Sequence, residues 1–309
     1  MSIFINILMN NVMPIMIVIV IGVILHRSFK LDIRTLSKMN FFLFSPVMVF
    51  KLLNETNISA VLFGQVILFC FLFFALQYAV TEVVIRLRRY EGGKRGAVRN
   101  SVFFYNSGNY GLPINQLAFA ANPYTLSIQV IVMVMQALIP YTYGIYSVNA
   151  HKAEWRKIVL LIIKMPIIYV IPIALMLHSF EIPIPNSFSI PIDYIADAFI
   201  GIALLTLGAQ LANMEKSLNR KMLLDVGIAS TLRLIVGPLL AAGIVWMMGL
   251  DPLTSAALIV SSAVPTSLSS VLLAVEYDNE QQFSSQMVLV TTIASVFTLT
   301  VIIYMLQMS

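Results

Sequence analysis

Apolar runs of roughly 20 residues, separated by short polar gaps, fill the chain from end to end, and that is the length a helix needs to cross the hydrocarbon core of a bilayer. Measured with that ruler, the sequence predicts ten spans, at roughly 4–25, 36–53, 60–85, 97–120, 125–147, 156–178, 191–212, 221–248, 253–275 and 283–307. Span four is the most diluted, because Asn106, Ser107, Gly108, Asn109 and Gly111 lead into Pro113. Span nine carries a comparable interruption, running from Ser261 and Ser262 through Pro265, Thr266 and Ser267 to Ser270.

A proline inside a helix removes one backbone hydrogen bond and crowds the preceding turn, while glycine and small polar residues let the chain unwind. In hydrocarbon the freed amides and carbonyls are costly unless they line a protein cavity or a water-filled site. Broken helices at matching positions of two halves therefore point to a transporter's binding site near the midplane. Prolines mark the halves here: Pro14 and Pro166 are 152 residues apart, and so are Pro113 and Pro265. The first pair falls in spans one and six, the second in spans four and nine. With five spans per half, the second half must enter the membrane from the opposite side. The pattern predicts an all-α polytopic membrane protein, ten transmembrane helices in an inverted five-plus-five repeat with crossed, broken helices four and nine. Half-helix N-termini at such a crossing would offer partial positive charge to an anion. Ordinary proline kinks in packed helices are the alternative reading of the same residues.

Composition agrees with a membrane solvent. The chain is 59% hydrophobic and 11% charged with a mean hydropathy of +0.90, against roughly 45–50% apolar and about 25% charged in soluble domains. A formal charge of +5 would suggest nucleic acid only if the basic residues gathered on a soluble face. They sit instead in alternate gaps between apolar runs: Arg27, Lys30, Arg34 and Lys38; Arg86, Arg88, Arg89, Lys94, Arg95 and Arg99; Lys152, Arg156 and Lys157; Lys216, Arg220 and Lys221. These sixteen of the nineteen basic residues fall on one side, and lysine and arginine are retained on the cytoplasmic side. The opposite loops hold Glu55, Glu181, Asp193 and Asp251. Both termini are thus expected outside, on a multi-pass protein of the cell membrane. The ninth loop, with Glu276, Asp278 and Glu280, is neutral in this count. The first apolar stretch has no basic n-region and no small-residue cleavage site, so it reads as a retained helix. The single cysteine, Cys70, excludes a disulfide framework within one chain.

At these residues the chain resembles the auxin efflux carrier superfamily, the plant PIN-formed carriers and their bacterial malate or malonate permease relatives. The resemblance covers nearly the whole chain except the long cytoplasmic loop of many plant members. It is carried by Asn106, Gly111 and Pro113 in span four, by Gln136 leading to Tyr141 and Thr142 in span five, and by Ala196, Asp197 and Ala198 leading to Leu207 and Gly208 in span seven. Pro265 followed by Ala274, Glu276 and Tyr277 in span nine, with Pro14, Pro46 and Phe50, completes it. Ser270 stands where plant members keep a second proline, and Pro166 arrives about one turn late after Trp155, Arg156 and Lys157.

The resemblance implies a fold like the bile-acid symporters and sodium/proton antiporters. Residues 1–57 and 152–214 (spans one, two, six and seven) would form a scaffold, usually a dimer; residues 58–151 and 215–309 (spans three to five and eight to ten) would form a moving transport domain. It implies a secondary transporter of a small organic anion, a carboxylate such as malate, malonate or an auxin-like acid, working by an elevator-type motion. A channel or a membrane ligand sensor keeping the carrier fold is the alternative. The expected partners are the anion, the bilayer and a second copy, and no cofactor is implied. No His-Glu-x-x-His, Gly-x-Ser-x-Gly or Walker-type motif occurs, which argues against a metalloprotease, a serine hydrolase and an ATP-driven pump.

The expected substrate-binding residues are Asn106, Asn109, Gly111, Pro113, Gln136, Tyr141, Pro265, Thr266, Ser267, Ser270 and Arg233. Asparagine and glutamine amides can donate to a carboxylate or accept from a proton donor or a cation, and the small polar residues also serve as helix-packing glue. Arg233, in the middle of span eight, could grip a carboxylate bidentately or pair with Asp225 two turns earlier. Glu82 and Asp197 are the candidates for coupling to a proton or sodium. Glu82 also has Arg86 in ion-pairing register, and the resemblance favours a scaffold role for Asp197. Lys51 and Lys164 lie close enough to span ends to snorkel.

Overall fold

A computed structural model describes residues 2–56, 59–139, 143, 144, 147, 163, 164, 166–214 and 220–308. In chain order its helices are α1 (Ile3–Phe29), α2 (Ile33–Glu55), α3 (Ala60–Arg88), α4 (Gly92–Phe103), α5 (Gly111–Ala118), α6 (Pro123–Leu138), α7 (Pro166–Ser179), α8 (Asn186–Ala212), α9 (Met222–Met248), α10 (Pro252–Ser262), α11 (Ser269–Glu276) and α12 (Gln281–Gln307). Six of them, α1, α2, α3, α8, α9 and α12, are long and apolar enough to cross a membrane. The expected spans four and nine each appear as two half-helices, α4 with α5 and α10 with α11. The polar interruptions are where the helices stop.

Prolines shape the long helices in a regular way. Pro14, Pro46 and Pro238 each follow a π-helical turn, at Leu8–Val12, Asn40–Phe44 and Leu232–Val236. In each case the residue just before the proline donates its amide five residues back: Met13 to Leu8, Ser45 to Asn40 and Gly237 to Leu232. The proline ring has no N–H to give and would strike the carbonyl four residues earlier, so the helix widens by one residue and continues. Pro113 and Pro265 are placed differently from each other. Pro113 lies inside α5, after the first break, whereas Pro265 lies in the second break itself, and Ser270 is the second residue of α11.

Helix α8 packs most extensively on α1, and α2 packs on α7 and α8. The α1–α8 approach needs residues without side chains. A Cβ on Gly208 would fall 2.0 Å from the Ile19 carbonyl oxygen, and one on Gly22 would fall 2.3 Å from that of Leu205. Backbones this close give dispersion contact that larger residues forbid, which is how helices associate where lipid is as apolar as leucine. Toward the Glu55 end of α2, an apolar cluster of Val49, Leu52, Leu126, Val130, Phe199 and Ala203 joins α2, α6 and α8. Exposed Ile17, Ile24, Phe71, Tyr194, Trp246 and Phe297 lie on the outsides of the long helices, where a bilayer rather than water covers them.

Candidate functional site

The two broken spans cross as short extended segments. Tyr105 and Thr266 pair as an isolated antiparallel bridge; the Asn106 amide donates to the Pro265 carbonyl at 2.8 Å and the Ser267 amide to the Phe104 carbonyl at 2.6 Å. Each unwound segment thereby satisfies part of the other's backbone, the requirement that hydrocarbon imposes on any irregular chain within it. Side chains complete the accounting. Gln136 on α6 donates from Nε2 to the Phe103 carbonyl at 3.2 Å, and its Oε1 accepts from the Tyr105 amide at 3.4 Å. Gln129, two turns earlier on the same face of that helix, donates to the Ser107 carbonyl at 2.7 Å. Thr266 donates its hydroxyl to the Ser101 carbonyl at 2.7 Å, and its amide donates to the Thr291 hydroxyl at 3.1 Å. Ser270 donates to the Ser267 carbonyl at 2.8 Å.

One side of this crossing opens on a cavity of about 690 Å³, within the few hundred to about 1,000 Å³ usual for small-molecule sites. Asn106, Ser107, Gly108 and Asn109 from the first break, and Ser267 to Ser269 from the second, form one wall, with Gln136 and Ala137 of α6 beside them. The facing wall comes from α2, α7 and α8, including Ser37, Asn40, Thr206 and Gln210. Asn40 spans the two walls, donating from Nδ2 to Oδ1 of Asn109 at 3.0 Å. Among the described residues no hydrogen bond engages the side-chain amide of Asn106. Arg34 and Lys38, both exposed on the first turns of α2, line the cavity at its basic-loop end, together with Asn213 at the end of α8. No aspartate or glutamate is among the described lining residues. Cations at the mouth, with amides and hydroxyls inside that can donate hydrogen bonds, are chemistry able to receive an anion.

The cavity thus gathers Asn106, Asn109, Gln136 and Ser267 of the expected binding residues. Gly111, Pro113, Pro265, Thr266 and Ser270 are not among its lining residues; Pro113 is buried within α5, and the other four make hydrogen bonds in and around the crossing instead. Gly111 illustrates the role: its amide closes on the Asn106 carbonyl at 2.8 Å, and a Cβ there would meet Nε2 of Gln129 at 2.5 Å. Tyr141 lies outside the described residues. Arg233 does not line the cavity and does not pair with Asp225. It is completely buried on the far side of the crossing, where Nε donates to the Val264 carbonyl at 3.2 Å, Nη1 to the Val102 carbonyl at 3.2 Å and to Oε1 of Gln77 at 3.4 Å, and Nη2 to the Ser262 carbonyl. Its guanidinium carbon lies 4.5 Å from the centre of the Tyr105 ring.

The acidic residues are paired elsewhere. Glu82, buried near the basic-loop end of α3, binds Arg95, Arg99 and, at 3.5 Å, Arg86. Asp225 accepts from the Tyr90 hydroxyl at 2.6 Å and pairs with Arg88 and Lys94, each at 3.4 Å. Asp197 is 3.3 Å from Lys51, which also holds Asp193 at 2.8 Å. Neither Glu82 nor Asp197 reaches the cavity.

Several lining residues were not singled out from sequence. Arg34 and Lys38 read as topology markers, and Asn40, Thr206 and Gln210 were passed over. The last two had a legible signal: they are polar residues four apart in an apolar span, hence on one helix face.

Two comparisons bear on this arrangement. Residues 155–303 match the profile of a family described as membrane transport protein. A protein named as an uncharacterized transporter, from Methanothermobacter thermautotrophicus, is 21% identical over 296 residues, covering 94% of this chain and 95% of its own length.

Proposed function

We propose, from the match of residues 155–303 to the membrane transport protein family, that the chain is a secondary transporter that carries a small organic anion through the cavity at the crossing of spans four and nine. The observation that carries the reading is the cavity's lining: crossover amides and hydroxyls on one wall, Arg34 and Lys38 at the mouth, and no described carboxylate. Cations at the mouth of a low-dielectric cleft concentrate anions locally. The N-termini of α5 and α11 begin beside the same wall, so their partial positive charge favours a bound carboxylate.

The mechanism we propose is an elevator. α1, α2, α7 and α8, which pack on one another, act as scaffold (residues 1–57 and 152–214), and residues 58–151 and 215–309 move as the transport domain. The two halves of the chain, spans one to five and spans six to ten, are related as an inverted repeat, with both termini outside and two copies joined through the scaffold. In this frame the basic-loop end is cytoplasmic, the cavity faces inward, and the apolar cluster around Val49, Val130 and Phe199 seals the outer side. The Asn40–Asn109 hydrogen bond then spans scaffold and transport domain, and it must break for the domain to move.

Uptake of labelled malate, malonate and indole-3-acetate into proteoliposomes tests the reading. Counterflow is expected for at least one carboxylate and is expected to be lost in Asn106→Ala with the thermal midpoint preserved. Absence of flux across a broad anion panel with folded protein would overturn it, and single-channel currents would assign a channel instead.

A further inference from the structure

Arg233 presents a physical problem. It is a completely buried cation, and no carboxylate among the described residues reaches it. Burying an unpaired charge is among the costlier things a fold can do. Its partners resolve the problem. The Val102 carbonyl belongs to the last turn of α4, the Ser262 carbonyl ends α10, and the Val264 carbonyl lies in the break that follows. Two half-helices thus aim their C-terminal ends at one guanidinium. Each end carries about half a negative elementary charge, so together they offset close to one positive charge.

The fourth partner, Oε1 of Gln77, is again a neutral oxygen. An all-oxygen cage of unwound carbonyls and half-helix C-termini is the donor set with which broken-helix transporters hold a free cation. Here a side chain fills it. The surroundings fit that side chain closely: the Tyr105 ring lies beneath the guanidinium. Gly237 leaves room for the side chain of Gln77, since a Cβ there would come within 3.2 Å of its Nε2. The π-helical turn Leu232–Val236 before Pro238 sets the residue's direction from α9. The crossing is therefore divided electrostatically. Half-helix N-termini face the cavity, and half-helix C-termini face Arg233.

We propose that Arg233 is a tethered counter-cation, a positioning residue that occupies the cation site of the crossover and holds α4 and α10 in register, so that no free cation is needed there. The inference rests on the crossing being the transport centre but not on which anion is carried.

Thermal unfolding of the purified protein in sodium, potassium and choline chloride at constant ionic strength is the direct test. The wild type is expected to unfold at the same temperature in all three, and a saturable rise with sodium would overturn the proposal. Arg233→Gln empties the cage. Its midpoint is expected to fall by on the order of 10 °C and to recover, saturably, with added methylguanidinium or an alkali cation but not with urea. A fall that no cation reverses would make Arg233 a packing residue only and would overturn the proposal, as would no fall at all. If Arg233→Gln is not recovered folded, purification in methylguanidinium is expected to rescue it, and failure there combined with a sodium-insensitive Arg233→Lys of reduced stability would likewise indicate packing alone. These readouts involve no transported solute, so an absence of anion flux would sink the transport reading without touching this one.

Discussion

Gln136 closes the backbone at the point where α4 ends, pairing with one carbonyl and one amide that the break leaves over. Gln136→Leu fits the same space without either hydrogen bond. Each buried group left unsatisfied costs about 1–3 kcal/mol, so a loss of that order or more is expected in chemical unfolding. Arg34 and Lys38 make the opposite kind of contribution. Both are exposed, and in the proposed transporter they would act on an approaching anion through the field rather than through a fixed contact. Arg34→Gln and Lys38→Gln are each expected to raise the KM for anion uptake roughly 2- to 5-fold, as suits an exposed charge worth under about 1 kcal/mol, with kcat little changed. Uptake by the double variant is expected to depend less on ionic strength, because a screened interaction has been removed. An unchanged salt dependence would show that these cations do not steer the solute.

At the scale of the element, two glycines of α8 give a direct contrast. Gly208 faces the backbone of α1, and a Cβ there would have to displace it. Gly201, two turns earlier, has nothing within 4 Å of where its Cβ would be. Gly208→Ala is expected to destabilise by about 1–3 kcal/mol through overpacking, while Gly201→Ala is expected to stabilise by about 0.5–1 kcal/mol through helix entropy. Equal effects in thermal unfolding would mean that α1 and α8 are not in backbone contact.

Helix α10 is set by the residue just before it. The Asp251 carboxylate accepts from the Thr254 amide at 2.9 Å, a cap worth about 1 kcal/mol. Burial pushes that carboxyl up, but the Thr254 hydrogen bonds outweigh burial and hold it below the ordinary value of 3.8. A depressed folded value places the cap's contribution above the unfolded value, and it is lost as the pH falls through the folded one. The stability difference between wild type and Asp251→Ala is therefore expected at neutral pH and should shrink below about pH 4.

For the whole molecule, the cavity's position predicts sidedness. Cys70 is buried in α3 and is expected not to react with a membrane-impermeant maleimide. In the Cys70-containing background, Ala137→Cys places a thiol on the cavity wall. Labelling is expected from the basic-loop side and to be slowed by a transported anion. Labelling from the opposite side alone would reverse the orientation read from the lysines and arginines.

Much of this architecture was legible in the apolar runs, because a bilayer demands a continuous apolar length for every crossing and leaves few alternatives. The two interruptions were legible for the same reason: Asn106 to Pro113 and Ser261 to Ser270 are polar and helix-breaking where hydrocarbon tolerates neither without compensation. What the sequence could not assign was the division of labour among those residues. Asn106 and Thr266 look alike along the chain, yet one opens on the cavity and the other is tied to Ser101 and Thr291. Arg233 looked like a carboxylate's partner or Asp225's. Its partners are the backbone carbonyls of residues 102, 262 and 264, with Oε1 of Gln77. Backbone carbonyls are the same at every position, so no pattern of side chains announces which of them will converge. Membrane solvation thus determined the six long apolar helices and the two breaks from sequence alone, while only the tertiary structure decided which face of each break meets the cavity and which meets the buried cation, because that depends on how two distant segments cross.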